Sequence, residues 1–167
     1  MKLSDDRPIL GIDPSKRGLA FVFFVKGTPI DWGLWRTDNR DALDVCRRVL
    51  DTCPARVLVV EDSEAVGCQR RSRIRRLLQD LAAAARDNGL EVRAVARQNS
   101  RDMWASQGVA RKDEAAALIA KRFPVLQPLV PRFRKVFMDE EPRSRIFDAA
   151  SLVLLAFGAP AARSDAA

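Results

Sequence analysis

The sequence predicts an α/β protein with a mixed five-stranded sheet and helices on both faces. Two observations carry this prediction. Three apolar strand segments follow one another closely near the N-terminus, and two further short apolar runs alternate with segments of helical periodicity. Consecutive strands of the first kind form hairpins, whereas strands separated by helices are typical of parallel pairing. At 167 residues the chain fits one domain, which is placed at residues 1–157.

The predicted elements follow in the order β-β-β-α-β-α-β-α-α. Strands are predicted at 8–12, 19–25, 30–35, 56–60 and 90–95, and helices at 41–50, 67–88, about 112–122 and 142 to about 157. The stretch before residue 112 is expected to be a polar loop, 124–141 to be irregular because of its prolines, and 158–167 to be a disordered tail. The aromatic residues expected in the sheet core are Phe21, Phe23, Phe24, Trp32 and Trp35.

Two missing residue types narrow the chemistry. The sequence has no histidine and no tyrosine, so histidine-dependent catalytic sites, histidine–zinc sites and tyrosine nucleophiles are excluded. Cys46, Cys53 and Cys68 are scattered, which indicates reduced thiols in a cytosolic protein rather than a disulfide frame or a zinc site. No stretch is apolar for long enough to span a membrane, and the first six residues do not resemble a signal peptide, so a cytoplasmic location is expected.

The charge balance favours a polyanionic partner. The net charge of +7 comes from 29 basic and 22 acidic residues, and arginine, which binds phosphate through two parallel hydrogen bonds, dominates the basic set. Nucleic acid is the simplest such partner. A solubilising surface is the alternative, and charge alone does not decide between the two.

Three acids interrupt apolar elements. Asp13 follows the first strand, Glu61 follows the fourth, and Asp148 lies within the last helix among core residues. A carboxylate in such surroundings is costly unless a cation compensates it. If the first strand is central and the fourth lies parallel beside it, the first two acids meet at one edge of the sheet, and the last helix can bring the third.

This arrangement predicts a site for Mg²⁺ or Mn²⁺, with two ions for the hydrolysis of a phosphodiester. Each acid also has a simpler reading. Asp13 before proline is a common turn residue, Glu61 with Asp62 could begin a solvated loop, and Asp148 could form an ion pair with Arg145 one helical turn back.

Three segments in this order, ILGIDPS, VLVVED and FDAASLVLLAFG, resemble the ribonuclease H-like nucleases, and most closely the RuvC-type Holliday junction resolvases. The resemblance runs from about residue 8 to 157. The segment GVARKDEAAALIAKRF is similar to the family's Gly-x-Ala-x-Lys signature, matched here by Gly108, Ala110 and Lys112.

The resemblance implies a ribonuclease H-like fold and a homodimer that cuts two strands of a four-way DNA junction. It also implies that Asp13, Glu61 and Asp148 bind divalent metal and that Lys112 approaches the scissile phosphate. For a lysine at the start of a helix, a solvated surface position is the alternative.

The chain departs from this family at several positions. The family often carries a second acid three residues from the one matching Asp148, where this sequence has Arg145 and Ser151. Glu141 is two helical turns away, about 10 Å along the axis, which is too far for a direct ligand. The SKRG turn after Asp13 is shorter than usual, and Arg101 is the nearest match to a second basic residue expected before Gly108.

A basic cluster, QRRSRIRRLLQD, is expected at the start of the long helix. We interpret this cluster as a phosphate-binding surface beside the acids or as a dimer surface. The alternative is that it is the solvent-exposed face of an amphipathic helix. Trp104 and Phe133 are candidates for base stacking, although such residues are more often core. The residues expected to bind nucleic acid are Arg70, Arg71, Arg73, Arg76, Arg101, Arg111, Lys112, Arg132 and Arg134.

The leading hypothesis is therefore a metal-dependent endonuclease of branched DNA. One rival is an RNA-processing nuclease of the same fold, of the YqgF type, whose Lys-Arg pair is similar to the one in SKRG. A second rival is a catalytically inactive nucleic-acid-binding module, suggested by the missing fourth carboxylate. A dinucleotide-binding enzyme is disfavoured because G-x-G-x-x-G is absent.

Overall fold

A computed structural model of the chain describes Leu3 and residues 5–37, 41–132 and 141–158. The strands are β1 (Ile9–Ser15), β2 (Gly18–Val25), β3 (Thr28–Arg36), β4 (Val57–Glu61) and β5 (Glu91–Val95). The helices are α1 (Ala42–Thr52), α2 (Ser72–Asp87), α3 (Arg97–Ala105), α4 (Lys112–Arg122) and α5 (Ser144–Phe157), and a 3-10 helix covers Pro124–Leu129. The predicted tail lies outside the described residues except for Gly158.

The five strands form one sheet in the order β3-β2-β1-β4-β5. Strand β1 is central, antiparallel to β2 and parallel to β4, and β4 is parallel to β5. The predicted fold class, a mixed sheet with a meander followed by alternating strands and helices, is confirmed. Its consequence is that the carboxyl ends of β1 and β4 lie side by side, where ligands of open α/β sheets usually bind.

Alternate residues of the central strands face two separate apolar layers, because side chains in a strand alternate between its faces. On one face Leu10, Ile12 and Leu58 pack with helices α1 and α2. On the other face Ile9 and Val57 pack with α4 and α5. Helices therefore cover both sides of the sheet, as predicted.

A glycine lets α5 lie directly on the central strand. A side chain at Gly11 would bring its Cβ within 2.6 Å of Val153 Cγ2 and 2.8 Å of the Ala149 carbonyl oxygen. Contacts this short do not occur in real proteins, so only glycine permits this approach of strand and helix. The close approach brings Asp148, the neighbour of Ala149, toward the end of β1.

Two tight turns connect the meander. Lys16 and Arg17 form the two-residue turn between β1 and β2, which is the SKRG segment. The β2–β3 turn consists of Lys26 and Gly27, whose positive φ angles of 50° and 76° are those of the turns preferred in two-residue hairpins. The predicted turn at 27–29 therefore lies slightly too late, and Pro29 is accommodated because β3 is an edge strand.

Three predictions about the elements were wrong. Helix α2 begins at Ser72 and not at residue 67, so Arg70 precedes the helix. The expected polar loop before residue 112 contains α3, which sequence periodicity missed because only Ser100 of this helix is buried. Trp35 is 41% exposed on the edge strand instead of belonging to the core, because no sixth strand or helix covers that position among the described residues.

The three cysteines are free thiols, and two of them belong to the core. Burial raises the pKa of the Cys46 thiol to about 12 and that of Cys53 to about 11, so neither is a thiolate at neutral pH. Within the described ranges, every helix falls short of the length and hydropathy that crossing a bilayer requires.

Candidate active site

The register of the two central strands brings Asp13 and Glu61 to the same level. Gly11 of β1 is paired with Val59 of β4, and each acid follows two residues later. Because strands alternate with a period of two, both acids lie on the face that carries α5. Strand β1 continues through Asp13, which is paired with Ala20 of β2, so the turn-residue reading of Asp13 is wrong.

Both carboxylates are buried. Asp13 is 1% exposed and Glu61 is 3% exposed, so Glu61 does not begin a solvated loop. Two such charges at one sheet edge are unstable without compensating cations. In this structure the compensation comes from arginine side chains.

Arg70 bridges the two acids from the segment that precedes α2. Its Nη2 donates to Asp13 Oδ1 at 2.7 Å and lies 2.7 Å from Glu61 Oε2, and its Nε donates to Glu61 Oε2 at 2.8 Å. Arg97, the first residue of α3, contacts the same two oxygens, each at 3.1 Å. One oxygen of each acid is thus held by two guanidinium groups.

Arg145 holds the other side of Asp13. From the first turn of α5, its Nη2 lies 3.2 Å from Asp13 Oδ2 and donates to the Asp13 carbonyl oxygen at 2.6 Å, while its Nη1 donates to Ser15 Oγ at 2.5 Å. The alternative pairing of Arg145 with Asp148 is therefore wrong. The spacing of the two residues on the helix allows that pair. The guanidinium group of Arg145 instead binds the buried carboxylate of Asp13, a contact with a distant segment that the sequence does not indicate.

Asp148 pairs with Lys112, whose Nζ donates to Asp148 Oδ2 at 3.0 Å. Burial raises the pKa of the Asp148 carboxyl, and the charge of Asp13 raises it further, whereas Lys112 and Arg97 lower it. Lys112 is half exposed, with 54% of its side chain accessible, but it is joined to the acidic group and is not a purely solvated residue.

The charges of this cluster nearly cancel. Three carboxylates are matched by three guanidinium groups and the ammonium group of Lys112. Among the described residues, no three acidic or sulfur side chains converge closely enough to hold an ion together. Two of the three carboxylates, those of Asp13 and Glu61, converge on the same arginine nitrogen. The role of Asp148 as a third ligand stays a prediction.

The residues expected to bind nucleic acid are spread over different positions. Arg71, Arg73 and Arg76 are exposed, the first just before α2 and the others on it, and Arg76 pairs with Asp80 one turn away. Arg132 is exposed beyond the 3-10 helix. Arg134 and Phe133 lie outside the described residues. Arg70 is the exception, because it lies among the acids instead of on the exposed face of a helix.

Besides a small cavity of about 100 Å³ beside Glu61, two larger cavities open at the site. A cleft of about 400 Å³ contains Asp13, Arg70 and Arg145, and its rim includes the Lys16–Arg17 turn. A second cavity of about 380 Å³ lies between α3, α4 and α5. The two cavities share three lining residues, Arg97, Lys112 and Asp148. The second cavity is therefore next to the acidic site, and its lining also includes Arg101 and Arg111.

Sequence reasoning missed two of the side chains at the site, Arg97 and Arg145. Their contacts with Asp13 join residues 84 and 132 positions apart, which no local pattern reveals. A signal existed for one of them, because Arg145 occupies a position where the resembled family often has an acid. A basic residue at such a position, close to two buried carboxylates, is expected to form an ion pair with one of them, and Arg145 does so with Asp13.

Comparison with solved structures gives three similar folds. Thermus thermophilus RuvC is similar with a TM-score of 0.59, 17% identity, and coverage of 89% of this chain and 92% of that one. T. thermophilus RuvC in complex with a Holliday junction substrate is similar with a TM-score of 0.57 and 14% identity, and the match covers 89% of this chain and 91% of that one. The chain has the fold of the RuvC-type resolvases. The yeast mitochondrial Holliday junction resolvase Ydc2 is similar with a TM-score of 0.58 and 13% identity, and the match covers 93% of this chain and 78% of that one.

The resemblance stated from sequence motifs is thus matched at the level of the ribonuclease H-like resolvase fold. No protein-family model matches the chain, and no curated protein matches it in sequence. At identities of 13–17%, the comparison concerns the fold, and the activity of this chain rests on its own residues.

Proposed function

We propose that this protein is a divalent-metal-dependent endonuclease that hydrolyses phosphodiesters in branched DNA. The observation that carries the proposal is the convergence of two buried carboxylates, Asp13 and Glu61, on a single nitrogen of Arg70 at the carboxyl ends of two parallel strands. Their place in a fold similar to that of RuvC supports a nuclease, and one of the similar structures is a RuvC in complex with a Holliday junction substrate.

The donor set suits a hard cation. Carboxylate oxygens are the ligands that Mg²⁺ prefers, and two of them already lie within 2.7 Å of one positive group. Arg70 and Arg97 hold the place of such an ion, because both contact the same two oxygens. Arg70 lies on the segment before α2 and Arg97 is the first residue of α3, so both side chains can leave without unwinding the interior of a helix. Asp13 and Glu61 would hold the ion, which would supply a water of lowered pKa and positive charge opposite the scissile phosphate.

One ion is better supported than two. The second would need Asp148, and among the described residues Asp148 does not converge with Asp13 and Glu61 into a group that could hold an ion. The pair of ions expected from the sequence therefore stays a prediction.

The protein's own side chains have separate tasks in this proposal. Arg145 orients Asp13 through both its carboxylate and its carbonyl oxygen. Lys112, half exposed at the boundary of the two cavities, binds the scissile phosphate when it parts from Asp148. Arg70, displaced from the carboxylates, is then close enough to bind a neighbouring phosphate, since guanidinium and phosphate form bidentate hydrogen bonds.

The preference for branched DNA rests on charge as well as on the fold. Exposed arginines on α2 and around the second cavity lie on either side of the acids, which suits a substrate broader than one duplex. Cleavage of two opposed strands requires two sites, so the proposal includes a homodimer.

Cleavage of labelled substrates tests the proposal. The purified protein is incubated with Mg²⁺ or Mn²⁺ and with four-way junctions, linear duplex and structured RNA. We expect paired nicks in the junction, lost in Asp13→Asn and in Glu61→Gln. Glu64→Gln is the matched control, because Glu64 is exposed three residues later and lies outside the carboxylate pair.

The other outcomes identify the rivals. Tight junction binding with no cleavage of any substrate would overturn the enzyme proposal and favour a binding module, the function suggested by the near-complete pairing of the acids with arginines. Cleavage of RNA alone would favour the RNA-processing rival. A strict monomer in light scattering would contradict paired cleavage by a dimer.

A further inference from the structure

We propose that the cavity between α3, α4 and α5 is a pocket that receives one unpaired nucleobase of the bound strand. This inference rests on the proposed function, because it assumes that a nucleic-acid strand crosses the acidic site. It assigns a ligand to a second cavity, which the cleavage chemistry does not use.

The walls of the pocket are apolar and aromatic. Trp104 of α3 and Phe147 and Leu152 of α5 line the cavity, and Val109 and Ala115 contribute further apolar surface. A volume of about 380 Å³ falls within the range of about 300–1,000 Å³ that is common for small-molecule pockets. A flat aromatic base is the part of a nucleic acid that such a slot fits, since every base has a face that stacks on an aromatic ring.

The position of the Trp104 ring is fixed before any ligand binds. Its Nε1 donates to Ser151 Oγ of α5 at 3.2 Å, which satisfies the polar edge of the indole and ties two helices together. Trp104 is only partly buried, so part of the ring remains available from the cavity. A ring held in this way loses little conformational freedom when a base stacks on it.

The lining carries a net positive charge, which distinguishes this pocket from a site for a neutral apolar ligand. Four cationic side chains, those of Arg97, Arg101, Arg111 and Lys112, line the cavity beside two acids, Asp102 and Asp148. Arg101 is exposed and forms no ion pair within the described part of the chain. An apolar cavity whose lining is positive overall is complementary to a nucleotide, whose base is flat and whose phosphate is anionic.

The pocket and the acidic cleft share three lining residues, Arg97, Lys112 and Asp148. A strand whose phosphate lies at Lys112 therefore has an adjoining base at the mouth of the pocket. Gln98 lies in the wall with its amide nitrogen already bonded to Asp102 at 2.8 Å, which leaves its carbonyl oxygen to accept a hydrogen bond from a base. The pocket thus fits a base that has left the stack near the branch point.

The first test uses mononucleotides and the intact, metal-free protein. dAMP and dTMP are titrated against ¹⁵N-labelled protein, and deoxyribose 5-phosphate is the probe without a base. We expect the indole N–H resonance of Trp104 to shift with both nucleotides and not with the sugar phosphate. An equal shift with the sugar phosphate would show an anion site only, and no shift with any probe would overturn the pocket.

The second test fills the pocket without removing a core contact. Ala105→Phe places a ring in the cavity from the exposed side of α3, and Ser106→Phe adds the same ring one residue away, outside the lining. We expect Ala105→Phe to weaken dAMP binding about tenfold, the loss that corresponds to one stacked base, and Ser106→Phe to leave it unchanged.

A junction with 2-aminopurine beside the branch point separates this inference from the proposed function. In EDTA, binding of the wild-type protein should change the fluorescence of this base, which leaves the stack of the junction and contacts Trp104, and binding of Ala105→Phe should not. Junction binding without any change in the wild type would overturn the pocket and leave the nuclease proposal standing. Failure to bind the junction, with nucleotide shifts retained at Trp104, would instead contradict the proposed function.

Discussion

Two clusters of arginine and carboxylate have similar contact distances, but they differ in how far their side chains are buried and therefore in what the loss of a partner would cost. On the surface, Arg7 lies 2.6 Å from Asp5 and 2.7 Å from Glu91. At the carboxyl ends of β1 and β4, Arg70 lies 2.7 Å from both Asp13 and Glu61. The distances are nearly the same, but the side chains of Arg7 and Glu91 are more than 40% exposed, whereas the buried acids are 2–3% exposed.

The difference lies in what each cluster would cost if a partner were removed. Water solvates an exposed charge that loses its partner, so exposed pairs contribute little to stability. A buried charge has no such replacement and needs a cation of some kind. The surface cluster can be an accident of composition. The buried cluster is either a structural element or a cation site whose cation can be exchanged.

The largest effect is expected from Asp13→Asn. It leaves three guanidinium groups around a neutral amide, and breaking a buried ion pair costs about 3–5 kcal/mol of unfolding free energy. Urea denaturation of the metal-free protein measures this loss. Glu91→Gln, the matched change at the exposed acid of the surface cluster, should leave the denaturation midpoint nearly unchanged, and an equal loss in both variants would remove the distinction between the clusters.

Arg70→Gln should have the next largest effect. It removes charge-assisted hydrogen bonds to both acids while Arg97 still holds them, so a loss of about 1.5–3 kcal/mol is expected in the absence of metal. Arg7→Gln is the matched change at the surface and should have a much smaller effect that also shrinks with added salt. The comparison fails if the two arginine variants unfold at the same urea concentration.

Gly11→Ala tests whether the closeness of α5 to β1 supports the buried cluster. The new methyl group meets the Ala149 carbonyl oxygen at 2.8 Å, and overpacking of this kind costs about 1–3 kcal/mol. Gly33→Ala is the control, because the three atoms nearest to its added Cβ belong to the Phe21 side chain and not to the backbone of α5. We expect Gly11→Ala to lower junction cleavage more than Gly33→Ala, measured at a temperature where both are folded.

The smallest effect concerns Asp148 and depends on pH. Because the folded protein raises the pKa of this carboxyl, its ionisation opposes folding as the pH rises above the usual value for aspartate, about 3.9. Asp148→Asn should therefore be slightly more stable than the wild type near neutral pH and equally stable below that value. Urea denaturation at several pH values measures the difference, and a variant that is less stable at neutral pH would contradict the sign.

Much of this fold could be predicted from local patterns. Apolar runs and turn residues located all five strands, because each strand is buried on at least one face or ends at a strong turn signal. Helix α3 was missed because its faces carry no apolar stripe. Trp35 was misplaced because an edge strand and a central strand have similar composition.

The site was predictable in its acids and in Lys112, but not in the arginines that contact the acids. Asp13 and Glu61 stand out because a charge within an apolar strand has an energetic cost that must be compensated nearby. Which cation compensates it depends on contacts between distant segments, so the sequence suggested metal where the structure has Arg70, Arg97 and Arg145. The compensation of the buried acids by arginine is thus a property of the tertiary structure.

Mn²⁺ binding, followed by isothermal titration calorimetry and by the EPR signal of the free ion, tests the exchange of arginine for metal without relying on any substrate. We predict that wild-type protein binds Mn²⁺ and that Asp13→Asn does not. We predict that Arg70→Gln binds it about tenfold more tightly, a gain of about 1.4 kcal/mol, because Arg97 is then the one remaining guanidinium group among the described residues that competes for the same two oxygens. Unchanged or weaker binding by Arg70→Gln, or no binding by any of the three proteins, would show that the buried arginines are permanent partners of the carboxylates and would contradict the proposed metal site.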